Sequence, residues 1–325
     1  MNKRHLLRAL CVALPALAAS ATWAQATFPP PKPVTLMVGF APGGAADAAA
    51  RLIAKKLTDN IGQSVVVDNK AGAGGNIVHQ LVANGPADGT LLLLGSVGPL
   101  TIAPHMMKVG YDPFKDLAPV SGGVNFPNLL VVHPGAGVKN MAEFLALAKK
   151  APNSVSYAST GNGSASHLAG ELFASRTGTE MLHVPYRGGG PAMQDLLAGR
   201  FTGYFSAPPT SLPQVEAGKL IPLATTGLTR PSYMPNIPTV AESGLPGFEA
   251  LNWYAFVASS KVPGPLLDRW NVEIVKVLND PGVSEALAKL GLSANPTTRA
   301  ELTAFMQKES VKWATVIKER KIQPE

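Results

Sequence analysis

The chain has 325 residues, of which 46% are hydrophobic, 15% charged and 6% aromatic, with a formal net charge of +7. That composition excludes intrinsic disorder, which needs few apolar residues and many charges, and the length predicts about two domains. Outside the N-terminus no apolar run reaches the ~18 residues of a membrane span, and 32 glycines with 29 prolines predict many tight turns.

Residues 1–26 read as a secretory signal peptide. Lys3, Arg4 and Arg8 form a basic start, residues 9–18 are short and apolar, and Ala24-Gln25-Ala26 is a small-x-small cleavage site. Removing 26 of 325 residues leaves 299, with 25 cations against 21 acids, or +4. That balance is too mild to indicate nucleic acid. The single cysteine, Cys11, leaves too; bulky Leu10 before it argues against lipid attachment. The exported chain then has no disulfide, thiol nucleophile or thiolate metal site.

Strand, turn and helix now alternate. Residues 34–40 read as an apolar strand, and Ala41-Pro42-Gly43-Gly44 as a turn. A helix follows with Ala49, Leu52, Ile53 and Leu57 on one face and Gly62 as its stop. Residues 64–67 predict a strand, 76–83 a helix, and the leucine run at 90–95 a strand buried on both faces. A crossing segment covers 118–132. The pattern restarts with a helix at 141–150, opened by Asn140 with Glu143 as capping partner. Strands at 155–159, 181–185, 201–206 and 220–225 alternate with helices at 165–177, 192–198 and 212–217, closed by Gly178, Gly199 and Gly218. Residues 230–247 read as a long ordered loop and 252–258 as a strand.

Three helices finish the chain. Leu267, Trp270, Ile274 and Val277 stripe the first, and Val283, Leu287 and Leu290 the second. Thr298 and Glu301 cap the third, whose face is Leu302, Phe305, Met306, Trp313 and Ile317. This alternation implies an α/β fold with parallel sheets flanked by helices. Two such runs with one helical cap imply two lobes and a chain that crosses between them twice.

Three turns between a strand and a helix carry the functional signal. They are Phe40-Ala41-Pro42-Gly43-Gly44-Ala45-Ala46-Asp47, Ser159-Thr160-Gly161-Asn162-Gly163-Ser164-Ala165-Ser166-His167 and Tyr186-Arg187-Gly188-Gly189-Gly190-Pro191. Ligands of open α/β sheets bind outside the carboxyl ends of the strands. Glycine lets backbone approach a ligand, and the unpaired N–H groups of a first helical turn suit an anion, either carboxylate or phosphate. Asp47 reads first as an acid on the helix dipole, and Ser164 or Ser166 as an N-cap whose hydroxyl could also touch ligand. Arg187 is either an anion partner or a solvated cation. His167 and Glu171 lie four apart on one helix, but no third metal ligand is evident. His79, His105, His133 and His183 show no metal spacing. The nucleophile-elbow, phosphate-loop and dinucleotide motifs all fail on spacing.

Beyond these turns, ordered matches run along the whole expected mature chain. They include Lys32-Pro33-Val34, Val38-Gly39-Phe40 into the first turn, Ala71-Gly72-Ala73-Gly74-Gly75-Asn76, Ala87-Asp88-Gly89-Thr90 and Tyr111-Asp112-Pro113. Val184-Pro185-Tyr186-Arg187-Gly188-Gly189, Ala217-Gly218-Lys219-Leu220 and Pro238-Thr239-Val240-Ala241-Glu242-Ser243-Gly244 continue them. The chain resembles the extracytoplasmic solute receptors of tripartite tricarboxylate transporters, the Bug or TctC family.

The resemblance implies a type II-like periplasmic binding protein whose two lobes, each a mainly parallel sheet, close on a small organic carboxylate. The lobes would be 27–124 with 249–325, and 125–248. It implies delivery to the membrane permease subunits of such a transporter, by a monomer in the periplasm without catalytic residues, cofactor, metal or nucleic acid. Carried over, the ligand-binding set is Ala41, Gly43, Gly44, Ala45 and Asp47 with Thr160, Gly161, Gly163, Ser164, Ala165 and Ser166. Phe40, Ser96, Tyr186 and Ser206 complete it. The alternatives are an exported hydrolase of a carboxylate-containing small molecule, or a sensor acting through a signalling partner. Two departures bear on the ligand. Ser206-Ala207-Pro208-Pro209 stands where the family often has an acid, and Val97-Gly98-Pro99-Leu100 where small polar residues with Asn are common. Both favour a carboxylic acid with an apolar or aromatic body over an amino acid.

Overall fold

The computed structural model describes residues 28–322; the signal-peptide reading of 1–26 and Cys11 lie outside the described residues. β1 (Val34–Val38) feeds α1 (Ala45–Ile61), β2 (Val65–Asn69), α2 (Asn76–Ala83) and β3 (Leu91–Ser96). A π-helical turn (Gly98–Ile102) and the short α3 (Ala103–Met106) lead into the long β4 (Leu117–Pro127). After β5 (Leu129–Val132) come α4 (Met141–Ala148), β6 (Ser156–Ser159), α5 (Ala165–Thr177), β7 (Leu182–Pro185) and α6 (Gly189–Leu197). Next are β8 (Gly203–Ser206), α7 (Pro208–Glu216), β9 (Ile221–Thr225) and β10 (Leu251–Ser259). The last elements are α8 (Gly264–Leu278), α9 (Pro281–Lys289), β11 (Ser293–Ala294) and α10 (Arg299–Arg320). None of the described helices is long and apolar enough to cross a membrane.

Local chemistry sets the helix ends. Gly62 and Gly178 adopt left-handed backbone and return their N–H groups to Thr58 and Ala174. Ser164 caps α5, Asn140 caps α4, and Thr298 with Glu301 forms the complete capping box of α10. Two helices start earlier than the sequence pattern predicts. α6 begins inside the third glycine turn. α7 begins at Pro208-Pro209, because proline at the first helical positions has its φ already set and lacks only N–H groups that would be unpaired anyway.

One sheet has the order β11-β4-β10-β3-β1-β2 and the other β7-β6-β8-β5-β9. The βα units pair in parallel, β1 with β2 and β3, and β6 with β7 and β8. β10 runs antiparallel to β3 and β4, and β5 antiparallel to β8 and β9. Four of the six strands of one sheet and four of the five of the other thus run one way, with β10, β11 and β5 against them. The strands that carry the chain between lobes enter opposite to the βα strands, and their direction cannot be read from local alternation.

Side chains sort by strand face. Leu92 and Leu94 of β3 join Leu36 and Val38 under α1 and α8, while Leu93 and Met37 point to the other face. That second face is continuous with Leu130, Val132, Phe144, Phe173 and Phe205 of the other lobe and with Met306, Trp313 and Ile317 of α10. Glu309 of α10, itself buried, accepts from the indole N–H groups of Trp253 (3.2 Å) and Trp313 (3.3 Å). α10 is thereby fixed to β10. Phe305, expected on the buried face of α10, is 37% exposed and meets Trp253 edge-on at 5.2 Å between centroids.

The chain passes from the first sheet to the second at Asn128 and returns between β9 and β10. Thr226 clasps the two passages. Its N–H donates to the Asn128 carbonyl and its carbonyl accepts from Ala250 N–H, both at 2.9 Å. Its hydroxyl accepts from Asn128 N–H (2.9 Å) and donates to the Ala250 carbonyl (2.8 Å). Thr226 is wholly buried. Thr226→Val keeps the shape and orphans two buried backbone groups, at ~1–3 kcal/mol each. The expected result is a loss of about 2–4 kcal/mol in urea unfolding; an unchanged midpoint would refute the clasp.

Candidate functional site

The lobes meet backbone to backbone. Ala41 N–H donates to the Arg187 carbonyl at 3.0 Å, joining the first and third glycine turns. A Cβ on Gly74 would collide with the Asn162 carbonyl oxygen, and one on Gly98 would lie 2.6 Å from the Gly163 carbonyl oxygen. Only glycine permits approaches this close. Behind the contacts lies a narrow chamber lined by Phe40, Gly44, Ala45, Ala46, Ser96 and Asn128, then Thr160, Ala165, Ser166 and Gly189. Tyr204, Phe205, Ala207, Thr210, Asn252 and Tyr254 complete its wall. No Asp, Glu, Lys, Arg or His is among these residues.

Backbone N–H groups sort into two sets. Several hold the turns in shape: Gly43 donates to Asp47 Oδ2 (3.1 Å), Thr160 to Ser166 Oγ (2.9 Å), Gly161 to Ser159 Oγ (3.0 Å) and Gly163 to His167 Nδ1 (3.2 Å). Six others have no protein partner among the described residues, and all six residues line the chamber. They are Gly44, Ala45 and Ala46 at the head of α1, Ala165 and Ser166 at the head of α5, and Gly189 at the head of α6. Three helix N-termini therefore present donors and positive dipole ends to one space, which suits an anion. At the same place the Ser166 hydroxyl lies 3.3 Å from that of Thr160 and 3.2 Å from that of Ser164.

Away from those helix heads the wall is polar but uncharged. Ser96 Oγ, Asn128 Nδ2 and Asn252 Oδ1 are buried without protein partners. Burial pushes the phenols of Tyr204 and Tyr254 well above their ordinary range, and Tyr204 adds to the cost of ionising Tyr254. They stay protonated donors.

Beneath the second turn two imidazoles stack, His167 on His183, with centroids 4.3 Å apart. His183 Nε2 meets Ser159 Oγ at 2.6 Å, and that same hydroxyl receives Gly161 N–H. His167 Nδ1 accepts from Gly163, so its neutral form holds the turn. Burial, then the neighbouring His183, lowers its pKa from 6.5 to about 3.

Of the residues expected from sequence, Phe40, Gly44, Ala45, Ser96, Thr160, Ala165 and Ser166 line the chamber. The others lie outside the wall. Ala41 bonds the opposite lobe, and Gly43 bonds Asp47. Burial would raise the Asp47 carboxyl, but hydrogen bonds from Arg51 and Gly43 and the Arg51 charge outweigh it and hold the pKa low. Arg51 Nη2 sits 2.9 Å from Asp47 Oδ1. Gly161 lines a second hollow at the cleft mouth with Tyr186 and Arg187. Gly163 and Ser164 shape and cap the turn. Tyr186 donates to Asp195 (2.8 Å), and Ser206 Oγ pairs with Thr210 Oγ1 (2.7 Å) behind the wall. Sequence reasoning missed Asn128, Tyr204, Thr210, Asn252 and Tyr254. Of these, Asn252 and Tyr254 carried one usable signal: they sit two apart on a strand and so share a face.

Comparison with known proteins fits this geometry. The family model described as tripartite tricarboxylate transporter family receptor matches residues 49–322. BugT of Bordetella pertussis (strain Tohama I) is 35% identical over 98% of this chain and 98% of its own. The R. palustris protein Rpa4515, solved with adipate, superposes with a TM-score of 0.88 at 34% identity, covering 92% of this chain and all of that one. MatC from Rhodopseudomonas palustris, solved with bound malate, has a TM-score of 0.85 at 29% identity, covering 89% and 99%.

Two outcomes follow from the geometry. Gly98→Ala adds a methyl group facing the Gly163 carbonyl without backbone strain in its own lobe. It should leave the thermal midpoint within a few degrees yet weaken ligand binding at least ~10-fold, about 1.4 kcal/mol. Small-angle scattering should show the variant failing to contract with ligand; full contraction would refute the contact. For His167 the folded pKa lies below the unfolded one. Its contribution to stability is complete above pH ~6.5 and is withdrawn as pH falls from there towards 3. Unfolding midpoints should therefore drop between pH 7.5 and 4.5, and His167→Gln should flatten that slope; an equal slope in both proteins counts against it.

Proposed function

We propose that this chain, which belongs to the tripartite tricarboxylate transporter receptor family, is a periplasmic solute receptor. It captures a small organic carboxylate between its lobes and hands it to the membrane subunits of a tripartite transporter. The observation that carries this reading is the set of six unpartnered N–H groups from three helix heads, facing one chamber with no charged side chain in its wall. A carboxylate satisfies several of these donors at once. Hydrogen bonds to a charged group contribute roughly 1.5–3 kcal/mol each. Three or four of them with apolar burial reach the ~8 kcal/mol of a micromolar complex after ordering costs. Relatives solved with adipate and malate support the ligand class.

In this reading the receptor works as a monomer and turns nothing over. The lobes are 27–124 with 249–325 and 125–248 in outline, exchanging chain at Asn128 and between β9 and β10. Gly44, Ala45, Ala165 and Ser166 grip the carboxylate, Thr160 supports them, and Phe40 packs on the body of the guest. Ala41, Gly43, Asp47, Gly161, Gly163 and Ser164 build the turns that place those donors.

A thermal-shift screen of mono-, di- and tricarboxylates, aromatic acids and amino acids tests this. A cognate acid at one hundred times its Kd should stabilise the fold by about 2.7 kcal/mol and be recovered unchanged. Turnover of the bound acid, or stabilisation only by compounds without a carboxylate, would overturn it.

A further inference from the structure

The helix heads account for one end of a guest; a second set of groups in the same chamber remains unsatisfied. Strand register lays it out. Ser96 at the end of β3 pairs with Tyr254 of β10, and Asn252 lies two residues along on the same face of β10. Asn128 sits where the chain leaves β4, and its Oδ1 receives Asn252 Nδ2 at 3.4 Å. All three polar residues are more than nine-tenths buried, at 4%, 1% and 8% exposure for Ser96, Asn128 and Asn252. Each keeps a polar atom without a protein partner: Ser96 Oγ, Asn128 Nδ2 and Asn252 Oδ1. Buried polar atoms are ordinarily paired, and leaving one unmade is costly.

The asparagine pair has a property that does not depend on how its amides are turned. Between them the two side chains hold two NH2 groups and two carbonyls. Their mutual hydrogen bond uses one of each. Flipping both amides leaves the same remainder, one donor and one acceptor side by side. A second carboxylate offers only acceptors and would set an oxygen against the free carbonyl. An ammonium offers only donors and finds no carboxylate in this wall. A hydroxyl or a carboxamide supplies both roles and leaves Ser96 Oγ to complete its shell. The backbone of Asn128 is pinned through both its N–H and its carbonyl to Thr226, so the pair is held in place before any guest arrives.

Building on the receptor reading above, we propose that Ser96, Asn128 and Asn252 form a second subsite for an uncharged group that both donates and accepts hydrogen bonds. The preferred guest is therefore a monocarboxylate bearing a hydroxyl or carboxamide at its far end. The site lies where both passages of the chain cross, so filling it ties the guest to the hinge as well as to the helix heads.

The test is isothermal titration of the mature protein with straight-chain acids of four to eight carbons. Each length is offered with four far ends: hydroxyl or carboxamide, carboxylate, ammonium and methyl. At the best length, the hydroxyl or carboxamide acid should bind at least ten-fold tighter than the other three. A diacid, amino acid or plain acid that binds equally or better at every length overturns the subsite while leaving the receptor reading intact. Binding by no acid in the series overturns the preferred guest, and the receptor reading is then decided by the wider screen above. Asn128→Leu supplies a readout that damage to the fold would not mimic. The preference for the hydroxyl or carboxamide acid over the methyl-ended acid should collapse to about unity while affinity for the methyl-ended acid holds within three-fold. A preserved preference overturns the proposal.

Discussion

A helix cannot satisfy the N–H groups of its own first turn, and this molecule directs three such turns at one enclosed space. Much of the architecture serves that constraint. Parallel βα units put the helix heads at the carboxyl ends of the strands. Glycines at the lobe faces let opposing backbones touch, as at Gly74 with Asn162 and Gly98 with Gly163. Asp47, Ser159, Ser166 and His167 take up four other turn donors, while six free ones belong to residues that line the chamber. Desolvated donors of this kind are worth most where no water competes.

Thr226 ties the two passages between lobes to each other. Thr226 meets each of its hydrogen-bonding obligations with backbone groups of Asn128 and Ala250. The apolar core is continuous across the same region, and α10 joins it through Trp313 and Glu309.

Much of this was legible in the chain. Gly44, Ala45, Ala165 and Ser166 follow a strand, contain or follow a glycine turn and open a helix, and that local grammar alone points to an anion site. The same grammar also draws in Gly43, Gly161 and Gly163, whose N–H groups bond within their own turns, because a glycine that shapes a turn is indistinguishable in sequence from one that admits a ligand. The pairing of Asn128 with Asn252 could not have been found: they are 124 residues apart, and only the antiparallel crossing of β4 and β10 brings them together. The antiparallel strands were hidden for a related reason, since strand direction is fixed by the long connection around residues 226–250 rather than by any local repeat. The start of α7 was obscured by two prolines that break helices in the interior but begin them well.

A wall without ionised side chains has a consequence for the surroundings in which the molecule operates. Recognition through fixed dipoles releases no counter-ions from the protein and is shielded by the bound lobes from dissolved salt, whose screening acts mainly on exposed charges. The lining holds no carboxylate, ammonium or imidazole, so the acid limit of capture comes from the guest, whose carboxyl loses its charge near pH ~4, and from His167 beneath the second turn. Such a site keeps its grip across brackish and dilute media alike.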